Sequence, residues 1–115
     1  MKLLIAGSRS IEEYDIKRHI DKDVHLIICR GAKGVDTLAE RVADDLKISK
    51  LVLRPNYKRY GRAAPLVRNR EMVEIADKVL VIWDGKSKGA EFTVKYATEK
   101  SKELIVVDLS KNREI

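Results

Sequence analysis

The chain has 115 residues, of which 37% are charged and 44% hydrophobic, and its formal net charge is +6. This composition excludes an intrinsically disordered chain. The length predicts one domain, residues 1–115, that buries a hydrophobic core without help from disulfides or metal ions. A single cysteine, Cys29, excludes an internal disulfide. No apolar run has the length of a membrane span or the form of a signal peptide, so we expect a cytoplasmic prokaryotic protein.

The charge pattern bears on partners and on the source. Lys and Glu are interspersed and no basic tail stands apart, so the net charge fits a solvated surface as well as a phosphate-bearing partner. We therefore expect only weak, salt-dependent binding of nucleic acid. Glutamine is absent while Lys, Arg and Glu are abundant, which is a pattern reported for heat-adapted proteins.

Five short apolar runs divide the chain, at residues 3–6, 26–29, 51–53, 79–83 and 104–107. They are continuous rather than alternating, which is typical of strands covered on both faces. Helical patterns lie between them, most clearly over residues 35–46. The alternation predicts an α/β fold: a single Rossmann-like doubly wound domain with a five-stranded parallel sheet and helices on both faces.

The glycines cluster where such a sheet binds its ligand, at the carboxyl edge of the strands. Gly7 follows the first apolar run, Gly31 and Gly34 follow the second, and Gly85 and Gly89 follow the fourth. The sixth glycine, after the third run, lies at the same edge, whereas the turns predicted at the opposite edge have none. Turn formation alone does not explain this distribution.

The segment CRGAKGVDTLAE, residues 29–40, places two of these glycines at the start of a predicted helix. Glycine lets backbone N–H groups approach an anion, and a helix start offers unpaired donors, so the loop predicts phosphate binding. Lys33 adds a positive charge. Asp36 fits either a contact to a ribose hydroxyl or an opposing loop, or simple compensation of the helix dipole. The spacing is not that of a Walker A loop.

Four blocks together resemble the SLOG superfamily, and within it the branch related to YspA and YpsA. They read IAGSRS at 5–10, RGAKGVDTLAERVA at 30–43, RYGRAAPLVRNREMVEIAD at 59–77 and WDGKSKGAEFT at 83–93. Relatives in that superfamily include the DNA-processing protein DprA and the LOG nucleotide phosphoribohydrolases. The resemblance implies a Rossmann-like pocket for a nucleotide or a nucleotide-derived ligand, of the adenine nucleotide or ADP-ribose type.

The resemblance also implies which residues form that pocket. Those carried over by position are Gly7, Ser8 and Arg9 on the phosphate side, Gly31, Gly34 and Asp36 as a second wall, Arg68 and Asn69 from a helix, and Asp84, Gly85, Ser87 and Gly89 as the closing loop. Arg9 and Arg68 are the strongest candidates for phosphate contact, because a guanidinium offers a planar fork of donors. The alternative is that each pairs with Asp36 or Asp84 and braces the loops.

Three functions fit this pocket: a nucleotide-binding sensor or adaptor, a hydrolase of the LOG kind, and a DprA-like binder of single-stranded DNA. LOG enzymes carry a PGGxGTxxE block whose glutamate assists at the ribose. In the corresponding segment of this chain, Thr93 stands at that position and Glu91 lies two residues before it. We therefore favour binding without efficient cleavage of the glycosidic bond, and no catalytic residue is assigned.

Further expectations concern metals, a loop and self-association. His19 and His25 lie apart from any Cys or carboxylate cluster, so no metal site is expected. Residues 55–62 mix aromatic and basic side chains in a predicted loop, where packing is the favoured role and base stacking the alternative. A homodimer is predicted from the resemblance and from five apolar residues spread around one helix: Leu66, Val67, Met72, Val73 and Ile75.

Overall fold

The apolar runs assemble into one parallel sheet in a computed structural model that describes residues 1–110. The strands are β1 (Lys2–Gly7), β2 (Leu26–Cys29), β3 (Ser49–Val52), β4 (Lys78–Trp83) and β5 (Glu103–Asp108). Their order across the sheet is β3-β2-β1-β4-β5, and every neighbouring pair is parallel. The predicted α/β class with a five-stranded parallel sheet is confirmed. Strand order reverses between β1 and β4.

Helices cover both faces of the sheet. They are α1 (Val35–Asp45), α2 (Tyr57–Tyr60), α3 (Ala64–Ile75) and α4 (Lys88–Glu99). On one face, Val35 and Ala39 of α1 pack against Ile5 and Leu80. On the other face, α3 and α4 supply apolar side chains against the opposite side of β1 and β4. Strands β1 and β4 are buried because they contribute alternate side chains to the cores on both faces of the sheet.

The first crossover differs from the predicted alternation of strand and helix. Between β1 and β2 the described chain has no α-helix, only a 3₁₀ turn at Ile16–His19. The segment is held by buried Ile11, Ile16 and Val24. These apolar residues are five and eight positions apart in the sequence, so they do not form the stripe that one helix face requires.

Two boundaries at the third crossover were also wrong. The third strand is Ser49–Val52 rather than residues 51–53, and it is mostly exposed because it lies at the edge of the sheet. The predicted loop 55–62 contains α2 and the beginning of a second 3₁₀ turn, Gly61–Ala63. Asn56 caps α2, because its side chain accepts a hydrogen bond from the Arg59 backbone N–H at 3.2 Å.

Only some of the five apolar residues behind the homodimer prediction are exposed at the surface. Met72 and Val73 are fully buried in the core, whereas Leu66 and Ile75 are partly exposed. The core therefore accounts for two of the five residues, and self-association stays a prediction. Cys29 is buried, and burial, with Asp36 and Glu40, raises the pKa of its thiol to about 11. Within residues 1–110, no helix is both long enough and apolar enough to cross a membrane.

Candidate functional site

A cleft of about 540 Å³ opens at the carboxyl edge of the sheet, beside the reversal of strand order between β1 and β4. Loops that leave these two strands diverge to opposite faces, which is why doubly wound sheets have a crevice at this point. We call it the switch-point cleft. Its lining residues are Arg9, Ser10, Arg30, Pro65, Leu66, Arg68, Asn69, Asp84, Lys86, Ser87 and Gly89.

Among residues 1–110, four cationic side chains line the cleft: Arg9, Arg30, Arg68 and Lys86. With the other described residues, only Arg30 of these four forms an ion pair. The Nε of Arg68 donates to the neutral Oδ1 of Asn69 at 2.9 Å. Burial and then the charge of Arg30 lower the pKa of Arg68 from its ordinary value. Because arginine is not deprotonated in proteins, Arg68 stays charged despite the lowered pKa. The cleft therefore holds positive charges that repel one another.

Asp84 is the one carboxylate among the described residues that line the cleft. One oxygen accepts from Ser10 Oγ at 2.7 Å, and the other accepts from the backbone N–H groups of Lys86 and Ser87 at 2.8 and 2.9 Å. Burial acts to raise its pKa, but these hydrogen bonds outweigh burial and hold the pKa of Asp84 well below its usual range. Asp84 is therefore ionised, and it orders the loop after β4.

Asp36 does not line the cleft, because Arg30 occupies its carboxylate. Arg30 donates from Nε to Asp36 Oδ2 at 2.9 Å, and its Nη2 lies 2.8 Å from the same oxygen. The backbone N–H of Arg30 donates to Oδ1 at 3.2 Å. Asp36 is fully buried. The brace considered for Arg9 or Arg68 is thus made by Arg30, and neither of those two pairs with a described carboxylate.

The predicted phosphate loop at residues 31–36 packs against the loop after β1 instead of facing the switch-point cleft. Gly34 precedes α1 with φ of 74°, and a Cβ there would stand 2.4 Å from Ser8 O and 2.6 Å from Arg9 O. Ser8 O also accepts the Val35 backbone N–H at 3.3 Å. Glycine is required for this close approach of two backbones. The start of α1 is therefore partly satisfied by protein, and exposed Lys33 lies outside the cleft lining.

The structure brings together about half of the residues proposed from the sequence. Those that line the cleft are Arg9, Arg68, Asn69, Asp84, Ser87 and Gly89, and those that do not are Gly7, Ser8, Gly31, Lys33, Gly34, Asp36 and Gly85. Ser8 supports the site from beneath, because its buried hydroxyl accepts the Asp84 backbone N–H at 3.0 Å. Whether any of them contacts a ligand stays a prediction.

Sequence reasoning missed five lining residues: Ser10, Arg30, Pro65, Leu66 and Lys86. Three of them stand directly beside residues that were proposed, at the ends of or within the same sequence blocks, so their neighbourhood was a usable signal. Pro65 and Leu66 lie in the first turn of α3 and adjoin no proposed residue, so only the packing of that helix places them at the cleft.

Of the polar residues that follow β4, some line the cleft and others lie outside it. Ser87 caps α4, with its Oγ accepting the Ala90 backbone N–H at 3.3 Å. Glu91 lies outside the cleft lining and pairs with Lys95 at 2.9 Å. Thr93 is buried and donates to Gly89 O at 3.1 Å. Neither residue stands where a general acid or base in the cleft is needed.

Comparisons with known proteins were made by sequence and by structure. No family model, curated protein or solved structure matched the chain. The SLOG resemblance therefore stays a prediction, and the chemistry of the cleft carries the functional argument.

We predict that Gly34→Ala destabilises the fold by about 2–4 kcal/mol, since the added Cβ meets backbone oxygens and the backbone conformation is left-handed. Gly89→Ala is the matched control. Its Cβ would lie 3.6 Å from Arg30 Nη1, an ordinary contact, in a helical backbone. Its stability should stay within about 1 kcal/mol of wild type. Urea unfolding measures both, and a Gly34→Ala variant as stable as wild type would contradict the close loop packing.

Proposed function

We propose that the switch-point cleft binds the phosphate-bearing part of a nucleotide or nucleotide-derived ligand, and that the protein acts as a sensor or adaptor. The observation that carries this proposal is the convergence of Arg9, Arg30 and Arg68 on one crevice at the carboxyl edge of the sheet. An adenine nucleotide or an ADP-ribose type of ligand is the class that the SLOG resemblance favours.

The charge balance supports an anionic ligand. Arg30 is neutralised by Asp36, and Asp84 offsets one further cation, which leaves a positive excess among Arg9, Arg68 and Lys86. Mutually repelling charges in a partly desolvated crevice are stabilised when an anion enters. Guanidinium groups also bind phosphate oxygens in pairs, which a lysine-only site does not do.

Shape and the remaining lining support a ligand larger than phosphate alone. The cleft volume of about 540 Å³ lies within the range of small-molecule sites. Pro65 and Leu66 at the start of α3 form an apolar wall, and the Leu66 side chain is partly exposed. Asn69 supplies an amide beside Arg68. An apolar wall next to a cationic floor suits a base or sugar joined to phosphate.

We predict that ADP, AMP or ADP-ribose raises the thermal midpoint of the protein, because a ligand present at a hundred times its dissociation constant adds about 2.7 kcal/mol of stability. Arg68→Met should weaken that ligand roughly ten- to a hundredfold, since a charge-assisted hydrogen bond contributes about 1.5–3 kcal/mol. Met keeps the aliphatic stem of the side chain. Differential scanning fluorimetry over a ligand series measures both effects.

The matched control is Arg18→Met, which removes the same charge from an exposed residue of the 3₁₀ turn in the first crossover. It should bind the nucleotide as wild type does. Equal weakening in both variants would show that net charge rather than the cleft attracts the ligand. No shift with any of the three nucleotides would contradict the proposal. Tight binding of single-stranded DNA at physiological salt, lost in Arg68→Met, would favour the DprA-like function instead.

A nucleotide hydrolase is the second candidate, and the position of Asp84 in the cleft is the observation that favours it. Its carboxylate already accepts hydrogen bonds from Ser10, Lys86 and Ser87, which hold it ionised and occupied. A general acid must carry a proton near neutral pH, and an ionised carboxylate with this pKa does not. Asp84 is better suited to order the loop.

We predict no release of free base when the protein is incubated with nucleoside monophosphates, as followed by chromatography. Asp84→Asn and Glu91→Gln are the paired variants, because one carboxylate lies in the cleft and the other lies outside it. Turnover that disappears in Asp84→Asn but persists in Glu91→Gln would establish the hydrolase. Turnover lost in Glu91→Gln would mean that Glu91 faces the cleft rather than Lys95.

A further inference from the structure

The guanidinium of Arg30 has one nitrogen for which residues 1–110 provide no acceptor. Nε and Nη2 face Asp36 Oδ2, and Nη2 also donates to Gly7 O at 2.7 Å. Among residues 1–110, no acceptor bonds to Nη1. Two of the three nitrogens are thus fixed by protein, and the orientation of the third is set by the planarity of the group.

Nη1 is open to the switch-point cleft. In the described part of the chain, no buried side-chain nitrogen or oxygen lacks a hydrogen-bond partner, so an unpartnered Nη1 must reach solvent. The Arg30 side chain is only 11% exposed, and it lines the cleft. Its Nη1 lies 3.6 Å from the point where a Cβ on Gly89 would stand. The free donor therefore lies beside the first turn of α4.

We infer that Arg30 Nη1 is an anion subsite, in which a phosphate group binds in the space that Gly89 leaves open. This inference deepens the proposed function and rests on it for the identity of the anion. Because Asp36 and Gly7 already hold the guanidinium, a phosphate bound there immobilises no further arginine torsion. Arg9 and Arg68 are less restrained and contact the remaining oxygens.

Gly89 offers a test that leaves the buried ion pair intact. Replacing Arg30 itself strands a fully buried Asp36 and is expected to unfold the chain, so its failure would say nothing about ligands. Gly89 has ordinary helical geometry, and a side chain there meets no backbone within clash distance. Gly89→Asp places a carboxylate within reach of Nη1 as a tethered substitute for the phosphate. Gly89→Asn has the same shape without the charge.

Gly89→Asp is expected to unfold at a higher temperature than Gly89→Asn. A carboxylate in the first turn also gains from the helix dipole, so the same exchange at the preceding residue is the reference. Lys88→Asp and Lys88→Asn share that dipole, and Lys88 lies in a separate surface depression with Glu91 and Lys95, whose charges cancel. The gap between Asp and Asn should be larger at position 89 than at position 88. Equal gaps would overturn the subsite.

ADP binding supplies the second measurement. The ADP concentration that produces a given thermal shift should be at least tenfold higher in Gly89→Asp than in Gly89→Asn, because the tethered carboxylate occupies the subsite. Equal ADP affinity in the two variants would overturn the inference even if wild type binds ADP. If none of ADP, AMP and ADP-ribose shifts wild type but the gap at position 89 persists, the anion subsite stands and the proposed nucleotide function fails.

Discussion

The ion pair between Arg30 and Asp36 fixes the geometry on which the carboxyl edge of this sheet depends. It joins the end of β2 to the first turn of α1, and the Arg30 hydrogen bond to Gly7 O adds the end of β1. Asp36 is fully buried and Arg30 nearly so, and losing one partner of such a pair commonly costs about 3–5 kcal/mol. Its hydrogen bonds tie the ends of β1 and β2 to the start of α1.

The same ion pair explains how the chain concentrates positive charge without losing the fold. The cation closest to the core is neutralised by Asp36, and the cations nearer to solvent keep part of their hydration. Asp84 acts similarly on the other side of the cleft, where hydrogen bonds hold its charge and order the loop after β4. Both carboxylates serve the architecture, while Arg9 and Arg68 form no ion pair with another of the described residues.

The sequence predicts the sheet well because its evidence is local. Continuous apolar runs identify β1, β2 and β4, which are covered on both faces, whereas the exposed edge strand β3 was misplaced by two residues at its start. The prediction of a helix in the first crossover was wrong for a related reason. This segment buries Ile11, Ile16 and Val24 at irregular spacing, so its sequence shows neither helical nor strand periodicity.

The cleft lies at the edge of the sheet where the sequence predicts a site, but the loop at residues 31–36 does not line it. Glycines at 31 and 34 suggested an approach to phosphate, whereas Gly34 in fact permits two protein backbones to meet. Both uses demand the same residue, so no single sequence separates them. Arg30 adjoins the proposed Gly31, but its pairing with Asp36 and its position at the cleft arise from tertiary packing. Lys86 and Ser10 had signals, since they adjoin residues that were proposed.

Titration of isotopically labelled protein with ADP, followed by NMR, shows directly whether the switch-point cleft binds a nucleotide. We expect shift changes at the backbone amides of Arg9 and Ser87 to Gly89 and at the side-chain Nε of Arg68, which all belong to residues at the cleft or within its closing loop. Changes confined instead to the outer surface of α3 and α4, around Arg70, Phe92 and Tyr96, would contradict that expectation.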